Sequence, residues 1–230
     1  MTNEPRPSKP SPPDTPHPAE DPRPSGRARP EAATDPLPPE ATLRDRLVRT
    51  GVELVDAEGA QALSLREIAR RAGVSHGAPR RHFPTHLDLL SAIAREGFRE
   101  LAERSAAADR EGEEPRARLE ALARGYLDFA RLRPGMYELM FRHDLLESGR
   151  LGLRDTSLPL FGRLAELVAR ARPDVADPIT AAGALWANLH GIAQLWRWGS
   201  LRLATGADDV TPLLTAALDA HLGPTARDRR

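Results

Sequence analysis

From Thr42 onward the chain alternates apolar and polar positions with a helical period. Leu43, Leu47, Gly51, Leu54 and Val55 fall at offsets 0, 4, 8, 11 and 12, one face of a helix. Arg44, Asp45, Arg46, Arg49, Glu53 and Asp56 occupy the other face, and Gly59 supplies a stop. Ser64-Leu65-Arg66-Glu67 has the spacing of a capping box, in which the serine hydroxyl serves the first turn and the glutamate reaches back. The short helix it opens turns Leu65, Ile68, Ala69 and Ala72 inward, and Gly73 ends it by taking positive φ. Ser75 is the expected cap of a third helix, His76 to Phe83, stopped by Pro84. Thr85 caps a fourth with Asp88 three residues on, and its inner face is Leu90, Ile93, Ala94, Phe98 and Leu101.

The same period continues after a charged, Gly-containing break at 111–115. Leu119, Leu122, Ala123, Tyr126 and Ala130 mark a fifth helix, widened by Leu127 and Phe129 and broken at Arg133-Pro134-Gly135. Met136 to Phe141 reads as a short apolar helix, and 143–157 as a charged loop of fifteen residues. Leu160, Phe161, Leu164, Leu167 and Val168 mark another helix ending near Pro173. Asp177-Pro178 and Thr211-Pro212 each pair a cap with a proline at the first helical position. They open a long apolar helix, about 179–198, and a last helix, about 212–222. No useful strand-like alternation and no internal repeat appears, so the expected fold class is all-α.

Composition alters this picture at the ends. Residues 1–40 hold 13 of the 22 prolines and little that is large and apolar, so the segment is expected to be a disordered tail. The expected organisation is then a first helical unit at 41–90 that runs on in a connecting helix to about 107, a second helical unit at 108–222, and a flexible C-terminus at 223–230. There are no cysteines, which excludes thiol nucleophiles, disulfides and zinc ribbons. The first residues carry no apolar run of the signal-peptide kind. Residues 180–196 contain no charged side chain but hold Asn188, His190 and Gln194, which favours a buried helix over a membrane span.

The 33 basic and 33 acidic residues cancel, so any affinity for nucleic acid must be local. It is local. The segment 64–86, SLREIARRAGVSHGAPRRHFPTH, sets five arginines against the single acid Glu67, with His76, His82 and His86 in addition. Helix, tight glycine turn and short basic helix together read as a helix-turn-helix, whose second helix enters a major groove. His82 and His86 are four apart, but Pro84 interrupts the helix that would make them a metal pair, so no metal or cofactor is expected.

The run L-x-E-I-A-x-x-A-G-V-S-x-G-A followed by R-H-F-P-x-H-x-D-L-L, from Leu65 to Leu90, resembles the DNA-binding domain of TetR-type transcriptional regulators. ALWANLHGIAQLW, with Trp186, His190 and Gly191, and RPGMYELMF resemble the ligand domain of one group of that family. The resemblance implies a homodimer, joined through the last two helices of the expected set, that binds a double-stranded operator palindrome. It implies release from that operator by a small hydrophobic or amphipathic effector, in a cytoplasmic, non-enzymatic repressor.

Carried onto this chain, the DNA-facing residues are Ser64, Ser75, His76, Gly77, Ala78, Arg80, Arg81, His82, Thr85 and His86. Thr85 and His86 are expected to offer free backbone N–H groups to phosphate. Many relatives have Tyr at position 80 and Lys at 86, where this chain has Arg and His, so the operator sequence is not carried over. Pro79 inside so short a helix removes a donor. Tyr126, Phe129, Met136, Met140, Phe161, Trp186 and His190 are candidates to line a ligand cavity, with Phe141 beside them. Trp196 and Trp198 suit packing or an interface better than a ligand. Two other readings stay open. One is a helix-turn-helix used for protein contacts with the Pro-rich tail as adaptor. The other is a helical-bundle enzyme using His190 and His143.

Overall fold

The computed structural model describes residues 42–148 and 152–224. The tail expected at 1–40 and most of the expected flexible C-terminus lie outside the described residues. Among the described residues the regular elements are helical. They are α1 (Leu43–Glu58), α2 (Leu65–Arg71), α3 (Ala78–His82), α4 (His86–Ala108), α5 (Pro115–Leu132), α6 (Pro134–Met140), α7 (His143–Ser148), α8 (Leu153–Ala171), α9 (Pro178–Arg197), α10 (Ser200–Thr205) and α11 (Thr211–Leu222). A 3-10 turn, Ala60–Ala62, joins α1 to α2.

Side-chain caps start several of these helices. The Thr42 hydroxyl accepts from the Asp45 N–H (3.2 Å) and opens α1. Asp177 accepts from the Ile179 and Thr180 N–H groups and opens α9, with Pro178 in its first turn. Leu47, Leu54, Ile68, Phe83, Leu89, Leu90 and Ile93 are fully buried and lock α1–α4 together. Leu119, Phe129, Met136, Tyr137, Leu139, Leu167 and Leu185 are buried across α5, α6, α8 and α9.

α6 is fixed hard against α1. A Cβ placed on Gly135 would fall 2.4 Å from the Val55 carbonyl oxygen, so only glycine permits the approach. Arg133 donates from Nε and Nη2 to the two Asp56 oxygens (2.8 and 2.7 Å) and from Nη1 to Glu100, tying α6 to both α1 and α4.

Four local expectations change. α3 starts at Ala78, not His76, and Gly77 is its cap without a side-chain bond. Ser75 instead accepts through its carbonyl from the Ala78 N–H (3.0 Å) in the turn before α3. Pro79 therefore lies in the first turn, where an N–H has no helical partner to lose. The expected loop at 143–157 contains α7 and the first residues of α8, because Leu145 and Leu153 are fully buried there. Those anchors are too sparse among charged residues to give a readable period. α10 is also absent from the sequence pattern, since six residues between two left-handed glycines, Gly199 and Gly206, are too few to show a period.

Candidate nucleic-acid interface and ligand cavity

The turn between α2 and α3 is a backbone motif. Val74 N–H donates to the Ala69 carbonyl (3.0 Å) and Gly73 N–H to the Arg70 carbonyl (3.2 Å), with Gly73 at φ +68. Arg46 of α1 donates to the Ala72 carbonyl (2.8 Å) and fastens the same corner. Phe83 is fully buried at the far end of α3, with the Arg44 guanidinium 5.2 Å from its ring centroid.

The pinned corner presents a polar surface. Ser75, His76, Gly77, Arg80, Arg81, His82, Thr85 and His86 are exposed, and Ala78 is half-buried. Arg66, Arg80 and Arg81 are exposed and have no ion-pair partner among the described residues. Arg70 and Arg71 differ, because both donate to the Glu67 carboxylate and Arg71 also to Glu58. Hydrogen bonds from Arg70 and then Arg71 hold the Glu67 carboxyl at about 2. The expected capping box is thus half made: the Ser64 hydroxyl accepts from the Glu67 N–H (3.1 Å), but the Glu67 carboxylate turns to the arginines.

At the start of α4 both halves of a box are present. The Thr85 N–H donates to Asp88 Oδ2 (2.8 Å) and the Asp88 N–H to the Thr85 hydroxyl (3.2 Å). The Thr85 N–H is therefore occupied, which corrects the expectation of a free donor there. His86 has its pKa lowered by partial burial, against the opposing effect of a hydrogen bond to the Leu63 carbonyl. No group of three His, Cys, Asp or Glu suited to a metal occurs among the described residues.

A second feature lies among α4, α5, α8 and α9. It is a cavity of about 210 Å³ bordered by the candidates Tyr126, Phe161 and Trp186, and by Phe98, Phe141 and Leu189 among others. Phe129, Met136 and Met140 do not border it. Phe129 is fully buried with the Arg104 guanidinium 5.8 Å from its ring centroid, and the two methionines pack against Gly97.

His190 stands behind the wall. Its Nδ1 is 2.8 Å from both the Tyr126 and the Tyr137 hydroxyl, which are 2.9 Å from each other. Burial lowers the pKa of His190, raises that of Tyr126, and pushes Tyr137 up to about 12. All three are therefore neutral at pH 7, and two hydroxyls facing one ring nitrogen are best served when Nδ1 accepts. Tyr137 was missed from sequence; the available signal was a tyrosine in an apolar helix, whose hydroxyl must find a partner once buried. The side chain of His143 lies outside what is described, so the pairing of His190 with His143 has no geometry here.

Residues 47–93 match the family model of bacterial regulatory proteins of the tetR family, and residues 119–221 match that of the tetracyclin repressor-like C-terminal domain. The chain belongs to the TetR family. It is an all-helical, DNA-binding regulator of transcription.

No curated protein matches the chain. Among solved structures it is similar to a protein of unknown function from Rhodococcus sp. RHA1, at 29% identity and a TM-score of 0.69, over 82% of this chain and 97% of that one. It shares its fold with the TetR family regulator PfmR from Thermus thermophilus, at 18% identity and a TM-score of 0.57, over 80% and 100%. It also shares it with AibR, solved in complex with isovaleryl coenzyme A and operator DNA, at 16% identity and a TM-score of 0.58, over 80% and 100%. No helix among the described residues is long and apolar enough to cross a membrane.

Proposed function

We propose that this chain is a cytoplasmic repressor that binds a palindromic operator as a homodimer and leaves it when a small molecule enters the cavity. The observation that carries the proposal is the exposed, unpaired set Arg66, Arg80 and Arg81 around a pinned helix-turn-helix corner. Exposed guanidinium groups without acidic partners are what phosphate neutralisation uses. In this reading residues 41–90 read DNA, with the connecting helix to about 107, and 108–222 hold the effector and the dimer contact. Ser75, His76, Gly77 and Ala78 approach base edges. Ser64, Arg80, Arg81, His82, Thr85 and His86 meet phosphate, Thr85 through its side chain. Tyr126, Phe161 and Trp186 line the effector site with His190 behind them.

The dimer contact is assigned to α9 and α11. Thr180, Ala184, Ala187, Asn188 and Leu195 of α9 and Trp198 just beyond its end are exposed, and residues 180–196 carry no charge. Pro212, Thr215, Ala216 and Ala220 of α11 are exposed in the same way. An uncharged face of two helices is suited to a second copy of itself. AibR, of the same fold, binds operator DNA and a small molecule, isovaleryl coenzyme A, in one complex. The test is selection of binding sites from random double-stranded DNA at about 150 mM salt, where non-specific binding is weak. A palindromic consensus bound by a dimer in sedimentation is expected. Enrichment of a single half-site by a monomer, or no enrichment from protein shown by denaturing mass spectrometry to carry no small molecule, would overturn the reading.

A further inference from the structure

The walls of the cavity restrict what it can hold. None of the described side chains bordering it is charged. Among the described residues only Ser105, Tyr126, Ser157 and Trp186 bring a polar side-chain atom to it. Two of these four are already engaged. The Ser105 hydroxyl donates to the Leu101 carbonyl (2.7 Å), and Tyr126 is held by Tyr137 and His190. That leaves the Ser157 hydroxyl and the Trp186 indole N–H as the bordering polar groups with no hydrogen-bond partner among the described residues. An ionised ligand here would lose its water and gain no counter-charge and only these two neutral donors, which is the costliest kind of burial. The size is restricted too. An apolar cavity of about 150 Å³ accepts benzene, and this one is about 210 Å³.

Resting on the reading of the cavity as an effector site, we propose that the effector is a neutral, largely hydrocarbon molecule. Its size is that of one ring or a short chain, with at most one hydroxyl or carbonyl group. Carboxylates, phosphates and other anions are excluded from the cavity. The aromatic side chains Phe98, Phe141, Phe161 and Trp186 and the leucines opposite supply contact area, and selectivity comes from the absence, among the described residues, of any bordering group that could hold a charge.

The test pairs two probes of equal chain length, 1-octanol and octanoate, titrated calorimetrically into the full-length protein at pH about 8, where the carboxylate is fully ionised. Saturable binding of 1-octanol is expected, with octanoate weaker by about thirtyfold or more. Two cavity-filling variants, Leu122→Phe and Leu160→Phe, keep the test independent of any one fold defect. Each is to lose 1-octanol binding while its circular dichroism and melting stay cooperative. Octanoate binding within about threefold of 1-octanol would overturn the proposal, as would undiminished 1-octanol binding in both filled variants or no 1-octanol binding at about 1 mM. Operator affinity is measured in the same samples. If 1-octanol binds as expected but operator affinity is unchanged, the ligand class stands and the release reading fails. If octanoate alone binds and releases operator, the release reading stands and the ligand class fails.

Discussion

The contact of α6 with α1 makes a sharp demand on Gly135. An alanine there would place its Cβ 2.4 Å from the Val55 carbonyl oxygen and 3.1 Å from the Gly59 Cα. An ordinary carbon–oxygen contact is about 3.3 Å or longer, so α6 must retreat by roughly 0.9 Å. Both obstructing atoms are backbone, and no rotamer change relieves them. The retreat carries Met136, Tyr137, Leu139 and Met140, all fully buried, away from their neighbours. A gap of about 0.5–1 Å forfeits a quarter to a half of each dispersion contact. Overpacking of this kind costs about 1–3 kcal/mol, and the better helix propensity of alanine returns at most about 1 kcal/mol. The expected net loss for Gly135→Ala is about 1–2 kcal/mol, a fall in Tm of about 2–8 °C for a unit of this size.

Gly97→Ala is the control. Its Cβ would also clash, 2.6 Å from Met140 Sδ and 2.7 Å from Met136 Cγ, but these belong to flexible side chains that can turn aside. It should melt within about 3 °C of the parent. Thermal melts followed by circular dichroism, with urea titrations to check that m is unchanged, provide the comparison. If Gly135→Ala melts at or above the parent, or if Gly97→Ala loses more than Gly135→Ala, then backbone contact does not set the α1–α6 distance and the reasoning fails.

Stability should respond to pH in two windows. Burial holds the His190 pKa below its ordinary 6.5 in the folded state, so the unfolded chain takes up that proton first and stability falls as pH drops below about 6.5. Glu67 and Asp109 have folded pKa values of about 2, so their contributions are complete above about 4.5 and are lost as pH falls towards 2. Melts at a series of pH values should show both; His86, whose pKa burial also lowers, shares the first window, so His190→Asn should reduce that slope without abolishing it, and an unchanged slope between pH 6.5 and 5.5 would remove His190 from the account. Asp109 is gripped by Arg118 and Arg163, and Arg118 is buried, so Asp109→Ala should lower Tm by about 4–8 °C in the same melts. Arg81→Ala should weaken binding to all DNA sequences about equally and reduce the salt slope by about 1, read by fluorescence anisotropy at several salt concentrations. His76→Ala should alter base preference in a repeated site selection, and an unchanged consensus would count against direct readout.

What could be read in the sequence follows from how locally each feature is encoded. A cap and the residue it serves lie three positions apart, so Thr85 and Asp177 mark their helices, whereas Thr211 lies inside α11, whose cap position is Val210 with no side-chain bond. The start of α3 was misplaced because Ser75 has the chemistry of a cap but spends its carbonyl on a turn. Its side chain cannot show which of the two local options wins. The cavity is harder again. Tyr126 and Phe129 stand three apart on α5 and both are buried, yet one borders the cavity and the other packs beneath the Arg104 guanidinium. A helical period states that a residue faces inward, not whether the space opposite is filled. Met136 and Met140 illustrate the point from the other side: the gap they fill exists because position 97, on a different helix, is glycine. The pairing of Trp186 with His190 was visible as one helical turn, whereas Tyr137, which completes the hydrogen-bonded ring, comes from 53 residues earlier. A site of this kind is legible in one sequence only as far as its members share a helix. The cavity is formed between helices, so its emptiness and its lack of charge, the two properties that select a ligand, are products of tertiary packing.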